Sequence, residues 1–308
     1  MLGSGGAWVS ELASRPLLTR AWMSGPVLLA LAMLFWAGSI VSGRAAAALV
    51  PPSLFTLLRW GGALVIVAPL AWPHLRHDRA ALLRRWPVVV ALAVLGVDAF
   101  NNLMYRGLHS TTAINALLLQ SATPLFVIVA LFAMFRERPT LRQVGAVMIS
   151  LAGVAVIAGQ GSLTVLRSLN VNGGDAVVTA AVVCYAVYSA LLRLKPAVHP
   201  LSLLAASFAV GVVFLVPLAG IEAHEGARLI LTPVSIFAIL YSCAFPAFLA
   251  YLFYNRGVEL IGPARAGQYV HLMPAFGVVL AVLFLGETLH PFHLAGIGLI
   301  GAGLWMAR

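Results

Sequence analysis

Charge is scarce in this chain. Only 9% of its 308 residues are Asp, Glu, Lys or Arg, where a soluble domain carries roughly a quarter. With 62% of positions apolar, so few charges leave no means of covering a soluble surface. Acidic residues number nine and Lys195 is the sole lysine, so the net charge of +10 is almost all arginine. Those arginines stand mostly in short loops between apolar runs, where they set orientation and meet headgroups. A polar, aromatic-interleaved basic face is absent, which excludes a nucleic-acid reader. Cysteine is scarce as well: Cys184 and Cys243 both lie inside apolar runs, which excludes a disulfide framework or a cysteine zinc site. Catalytic signatures are also missing. Without a Walker lysine, a metal-ligand cluster or a G-x-S-x-G elbow, neither ATP hydrolysis nor an enzyme is expected, and no cofactor. Gly296-x-Gly298-x-x-Gly301 imitates a dinucleotide loop, but no strand precedes it. Small residues there, such as Gly298 and Ala302, are expected to let membrane helices approach closely.

Apolar length is what the chain has in abundance. Mean hydropathy is +1.00, and ten runs are long enough to cross about 30 Å of hydrocarbon at about 1.5 Å per residue. They fall near 26–49, 52–73, 86–107, 110–135, 139–159, 174–194, 200–220, 234–257, 263–285 and 291–307. The expected fold is therefore an all-α integral membrane protein of ten transmembrane helices. Residues 1–24 read as a cytoplasmic tail. The first run is too long for the apolar core of a cleaved signal peptide and is retained as a helix. Trp22, Trp72, Trp86 and Trp305 stand at expected span ends, where an amphipathic ring suits the interface. Counting Lys and Arg by alternate loops puts fourteen on the side of the termini and four on the other, with Arg59 inside the second span. Positive-inside bias then places both termini in the cytoplasm of an inner-membrane protein.

A duplication underlies these runs. Arg106-Gly107, Pro124, Phe126, Val129, Glu137, Ala152 and Gly153 return without a gap, 150 positions on, as Arg256-Gly257, Pro274, Phe276, Val279, Glu287, Ala302 and Gly303. A looser echo at 149 aligns Trp36, Ala37, Pro51 and Ser53 with Tyr185, Ala186, Pro200 and Ser202. The halves are residues 25–160 and 161–308. Five helices per half is an odd number, so the second half is expected to run inverted, with Glu137 and Glu287 on opposite faces. Inverted halves around a central site are a transporter architecture, because exchange of their conformations opens the site to alternate sides.

Both halves resemble the EamA unit of the drug/metabolite transporter superfamily. The first reads Pro124, Glu137-Arg138, Gln143, Gly145 and Gly153; the second reads Pro274, Glu287-Thr288, Gly296, Gly301 and Gly303. The second departs in a displaced proline after the glutamate and in His293, which stands where the first has Gln143. The resemblance spans the chain from the first helix to the last. More loosely, the whole is similar to bacterial aromatic amino-acid exporters. That implies a carrier moving aromatic amino acids or related metabolites outward across the bilayer. A monomer is expected. The alternatives within the same scaffold are hydrophobic cations, drugs or other metabolites; a channel or receptor stands further off.

Polar groups inside lipid-spanning helices are costly and tend to face the bundle interior. The third run holds the densest set: Asp98, Asn101, Asn102 and Tyr105. At four-residue spacing, Asp98 and Asn102 share one face, and Asn101 and Tyr105 a neighbouring one. They read either as a wall for a zwitterion's ammonium group or, for Asp98, as the partner of Arg59 in an ion pair that locks packing. Trp36 and Ser39 in the first run, with Tyr185 and Tyr188 in the sixth, are candidates to stack against an aromatic cargo. Asn115 and Gln120 precede Pro124; Gln268, Tyr269 and His271 precede Pro274. Each proline frees carbonyls near Gln120 and Val270, giving either a hinge beside a polar lining or a fixed kink met by Ser121 or Thr123. Pro246, with no proline opposite it in the third run, reads as a bend. His271 is read as a packing residue or a proton relay. Glu137 and Glu287 are expected at the starts of the fifth and tenth helices, where the dipole favours a negative charge.

Overall fold

The computed structural model describes residues 22–46, 49–108, 110–111, 116, 119–167, 172–285 and 289–307. Among them every regular element is helical. In lipid a backbone must satisfy its own polar groups, and a helix does so within one segment. In chain order the helices are α1 (Gly25–Ala46), α2 (Pro52–Arg84), α3 (Trp86–Leu92, Ala93–Ala99 and Phe100–Leu108), α4 (Thr123–Phe135) and α5 (Leu141–Ala158). After the short Leu163–Arg167 helix come α6 (Gly173–Leu191 with Leu192–Leu194), α7 (Pro200–His224) and α8 (Pro233–Ser242, Cys243–Leu249 and Ala250–Ile261). The chain finishes with α9 (Pro263–Gln268, Tyr269–His271 and Leu272–Leu285) and α10 (Pro291–Met306).

Among the described residues, six helical stretches are long and apolar enough to cross a membrane: α2, Trp86–Met104 of α3, α5, α6, α7 and α8. Gly25–Ser39, α4 and α10 are apolar but shorter. Their outward faces carry large apolar side chains, with Val65, Val213, Leu240 and Leu283 each more than 60% exposed. Large apolar side chains exposed in such number suit lipid and not water. Trp72, Trp86 and Trp305 are also exposed.

One expected loop is helical. Pro69 and Pro73 do not stop α2, which continues to Arg84. Leu75 and Leu82, seven apart, keep one apolar stripe on the core, and this stripe carries the helix past both prolines.

Helices of one half pack against helices of the other. α1 lies on α8, α6 on α3, α2 on α7, α4 on α9, and α5 on α10. Each end of the α2–α7 pair is closed by a carboxylate from the opposite helix. Glu222, late in α7, accepts from the backbone N–H groups of Ser53 (2.9 Å) and Leu54 (3.0 Å) at the start of α2. Asp78, late in α2, accepts from His199 N–H (2.9 Å) just before α7. Both acids meet donors that a helix start leaves open. Beside Asp78, the rings of His74 and His199 stack at 3.7 Å. Burial, followed by the neighbouring His74, lowers the His199 pKa from 6.5 to about 4, against the pull of Asp78.

The α5–α10 seam is built from glycine. A Cβ on Gly153 would fall 2.6 Å from the Gly296 carbonyl, and one on Gly303 would fall 2.6 Å from the Ala146 carbonyl. The close approach therefore comes from Gly296 and Gly303. Gly298, expected to make it, has nothing within 4 Å of its Cβ position. The start of each helix explains the departure at His293. Thr140 N–H donates to Gln143 Oε1 (2.9 Å) at α5, and His290 N–H donates to His293 Nδ1 (3.1 Å) at α10. An imidazole nitrogen thus takes the amide oxygen's place in the cap. Glu137 does not sit on α5's first turn as expected; it precedes the helix and forms an ion pair with Arg193 at the end of α6. Glu287 lies outside the described residues.

Candidate functional site

Two helices are interrupted at matching places. Ala93–Ala99 in α3 and Cys243–Leu249 in α8 are both π-helical, and their bounds differ by the repeat spacing of 150. A π turn inserts one residue into the ladder, and such turns collect at functional sites. Pro246 thus has a counterpart in backbone geometry, Gly96, although not in sequence. Each of these two residues offers its carbonyl to an aromatic donor from a neighbouring helix. Trp36 Nε1 of α1 donates to the Pro246 carbonyl at 3.0 Å. Tyr251 Oη of α8 donates to the Gly96 carbonyl.

Around these two anchors the aromatic candidates gather. Trp36 lies 5.8 Å from Tyr185, 5.6 Å from Tyr251 and 5.3 Å from Tyr254, centroid to centroid. Tyr185 also meets Tyr188 at 5.6 Å, and Trp60 meets Tyr251 at 4.9 Å, edge-on. These separations are those of attractive ring pairs. Tyr188 donates from its hydroxyl to Asn255 Oδ1 (2.6 Å), and Ser189 and Tyr254 share a hydrogen bond of 2.8 Å. Ser39 is buried one turn after Trp36 on the same helix. Beside Tyr188 and Tyr251 a narrow cleft of about 10 Å³ reaches Asn255. A second, also of about 10 Å³, continues from Asn255 to a rim carrying Lys195, Arg256 and Glu259. Each has room for about one water, far less than an ordinary small-molecule pocket of about 300–1,000 Å³. In this conformation the rings fill the centre themselves.

The polar candidates divide. Asn101 is buried and spends its amide on its own helix, at the Val97 carbonyl (2.8 Å); Asn102 does the same at the Asp98 carbonyl (3.2 Å). Asp98 is buried and neither carboxylate oxygen has a hydrogen-bond partner. The ion pair with Arg59, one of the two readings of Asp98, is not formed. Gln268 is fully buried with both amide atoms unmet. His271 is fully buried and bonds Ser121 O through Nε2 (2.6 Å), while Nδ1 has no partner. Tyr269 is buried in the core. Gln120 is half-buried, and its carbonyl is met by the Thr123 hydroxyl, as the fixed-kink reading expects. Pro124 falls in the first turn of α4, where a missing N–H costs nothing; Pro274 follows the tight turn Tyr269–His271. Asn115 and the Tyr105 side chain lie outside the described residues.

Trp60, Tyr251, Tyr254 and Asn255 are members of this cluster that the residue-by-residue reading missed. A signal existed for two of them. Adding the repeat spacing to Asn101 and Tyr105 lands on Tyr251 and Asn255.

Comparison with known proteins places this arrangement. The profile described as the EamA-like transporter family matches residues 23–159 and again 172–308. The chain belongs to the EamA-like transporter family. An uncharacterized transporter of Archaeoglobus fulgidus is 27% identical over 91% of this chain and 96% of its own length. The uncharacterized transporter YyaM of Bacillus subtilis is 26% identical, covering 71% of this chain and 72% of its own. A probable terminal-alkyne amino-acid exporter of Streptantibioticus cattleyicolor is 27% identical over 82% of each. A protein of known crystal structure shares the fold with a TM-score of 0.77 at 18% identity, over 92% of this chain and 96% of that one.

Proposed function

We propose that this EamA-family protein is a secondary carrier of ten membrane-spanning helices in two inverted halves. It sits in the inner membrane with both termini in the cytoplasm and exports small amphipathic metabolites, aromatic amino acids foremost. The observation that carries the reading is the aromatic cluster of Trp36, Tyr185, Tyr188, Tyr251 and Tyr254 at the junction of the two halves. Rings already paired at about 5–6 Å can exchange one partner for a cargo ring with little loss. The pairing of α1 with α8 and α6 with α3 supports two-fold-related halves, since exchanging the halves maps one pair onto the other; five helices per half would make them inverted. The relative named as an amino-acid exporter supports the cargo class. Alternate opening of the halves would expose the cluster to each side in turn.

The unpartnered Asp98 also favours a second cargo class, hydrophobic cations. Counterflow in proteoliposomes tests the main reading. Purified protein should exchange labelled phenylalanine, and Trp36→Ala or Tyr185→Ala should weaken aromatic cargo more than aliphatic cargo. Equal loss for both would reject stacking; exchange of organic cations alone would move the assignment to the second class.

A further inference from the structure

Two ionisable side chains are buried in the bundle and are not joined. Arg59 of α2 is 5% exposed and Asp98 of α3 is 6% exposed. Arg59 Nε and both Asp98 oxygens lack hydrogen-bond partners. The ion pairs among the described residues join Arg193 to Glu137 and Glu259 to Lys195 and Arg256, all nearer helix ends. Buried charges left unmet are costly, and each such group calls for an explanation.

A chain of contacts joins the two. The Arg59 guanidinium carbon stands 5.2 Å from the centre of the Trp60 ring. Trp60 meets Tyr251 edge-on at 4.9 Å. The Tyr251 hydroxyl holds the carbonyl of Gly96, two residues before Asp98. α3 folds back along α2, with Phe100–Leu108 packed on it.

We propose that Arg59 and Asp98 are the two poles of a zwitterion-binding site, with Tyr251 between them. The planar guanidinium takes the substrate's carboxylate through its paired N–H donors; the Asp98 carboxylate takes the ammonium. The cargo side chain then lies against the Trp36–Tyr185 rings. The proposal rests on the carrier reading above and adds the class of substrate head group, with Arg59 as its carboxylate receptor.

Full-length protein in proteoliposomes, exchanging labelled phenylalanine or leucine, tests it by competition. The competitors are phenylalanine, leucine, 2-phenylethylamine (no carboxylate) and 3-phenylpropanoate (no ammonium). Wild type should accept an amino acid at least about tenfold better than either truncated analogue, because a missing partner leaves a buried pole unpaired. Arg59→Gln should erase the preference over phenylethylamine and keep that over phenylpropanoate. Asp98→Asn should do the reverse. Each readout is a ratio within one preparation, so a lower folded fraction cancels. Arg59→Lys, which keeps the charge and loses the fork, gives an intermediate ratio and serves if the Gln variant does not fold. Leucine carried and phenylalanine refused, with both ratios behaving as stated, would leave the two poles standing and remove the aromatic cargo. Phenylethylamine accepted as well as phenylalanine by wild type would overturn the poles and leave a carrier of organic cations. Both ratios moving together in Arg59→Gln would also overturn them. No exchange of any of these compounds would remove both readings.

Discussion

The α5–α10 seam and the interrupted helices α3 and α8 solve the problem of packing across the two halves in opposite ways. At the seam, glycines let backbones touch. The Gly153 and Gly296 Cβ positions each fall within 3 Å of the other's carbonyl, and Val154 and Ile300 are fully buried beside them. Small residues spaced along a membrane helix are a rigid fastening. α3 and α8 instead replace the α-helical ladder by a π turn over seven residues each. At those turns a carbonyl meets an aromatic donor from a neighbouring helix, and Asp98 is kept unpartnered. Close glycine packing resists rearrangement, whereas a π turn bonded to a side chain can be remade. On the proposed carrier reading, α5 and α10 would be the frame and α3 and α8 the moving part.

Breaking the frame should cost most. Gly303→Val puts methyl groups where a Cβ already lies 2.0 Å from Ser150 Oγ and 2.6 Å from the Ala146 carbonyl. A backbone carbonyl cannot swing aside, so the loss should reach the upper end of overpacking, about 3 kcal/mol. Gly301→Val on the same helix has nothing within 4 Å and should be tolerated. Thermal unfolding in detergent, with size-exclusion recovery, compares the two; equal losses would mean the seam is not the frame.

A smaller effect should follow from freeing one anchor. Tyr251→Phe removes the hydroxyl on Gly96 and leaves that carbonyl with the long contact from the Asn101 amide (3.5 Å), for about 1 kcal/mol. Transport rate should change more than stability if α3 moves during the cycle. A change in the melt with unaltered exchange kinetics would make the anchor merely structural.

The smallest effect is expected at the rim. The folded state holds His199 down at about 4, against 6.5 when unfolded. Below pH 6.5 the unfolded chain takes up a proton that the folded chain refuses. Stability is therefore fully present above 6.5 and falls as pH drops toward 4. His199→Asn should flatten that slope in melts across this window. An unchanged slope would assign it to other groups.

Most of the fold was legible in apolar run length and in the 150-residue echo, because lipid admits little else than a helix for such runs. The equivalence of His293 with Gln143 was legible as well. Three things were not legible. α2 runs past Pro69 and Pro73 because of packing at Leu75 and Leu82, which no local signal announces. The π turns have no composition of their own. The separation of Arg59 from Asp98 depends on how α2 and α3 are rotated about their axes, which hydropathy does not specify. Asn101 and Asn102 show a related limit: an amide can be satisfied by its own helix, so a polar residue in a span does not by itself line a cavity.

The inversion of the halves is the claim on which the carrier reading depends. In a background lacking Cys184 and Cys243, single cysteines replacing Arg138 and Leu289, both exposed just ahead of α5 and α10, can be probed in intact cells with a membrane-impermeant maleimide. The inverted arrangement predicts labelling at position 289 from outside and at 138 only after the membrane is opened. Labelling of both from the same side would contradict it.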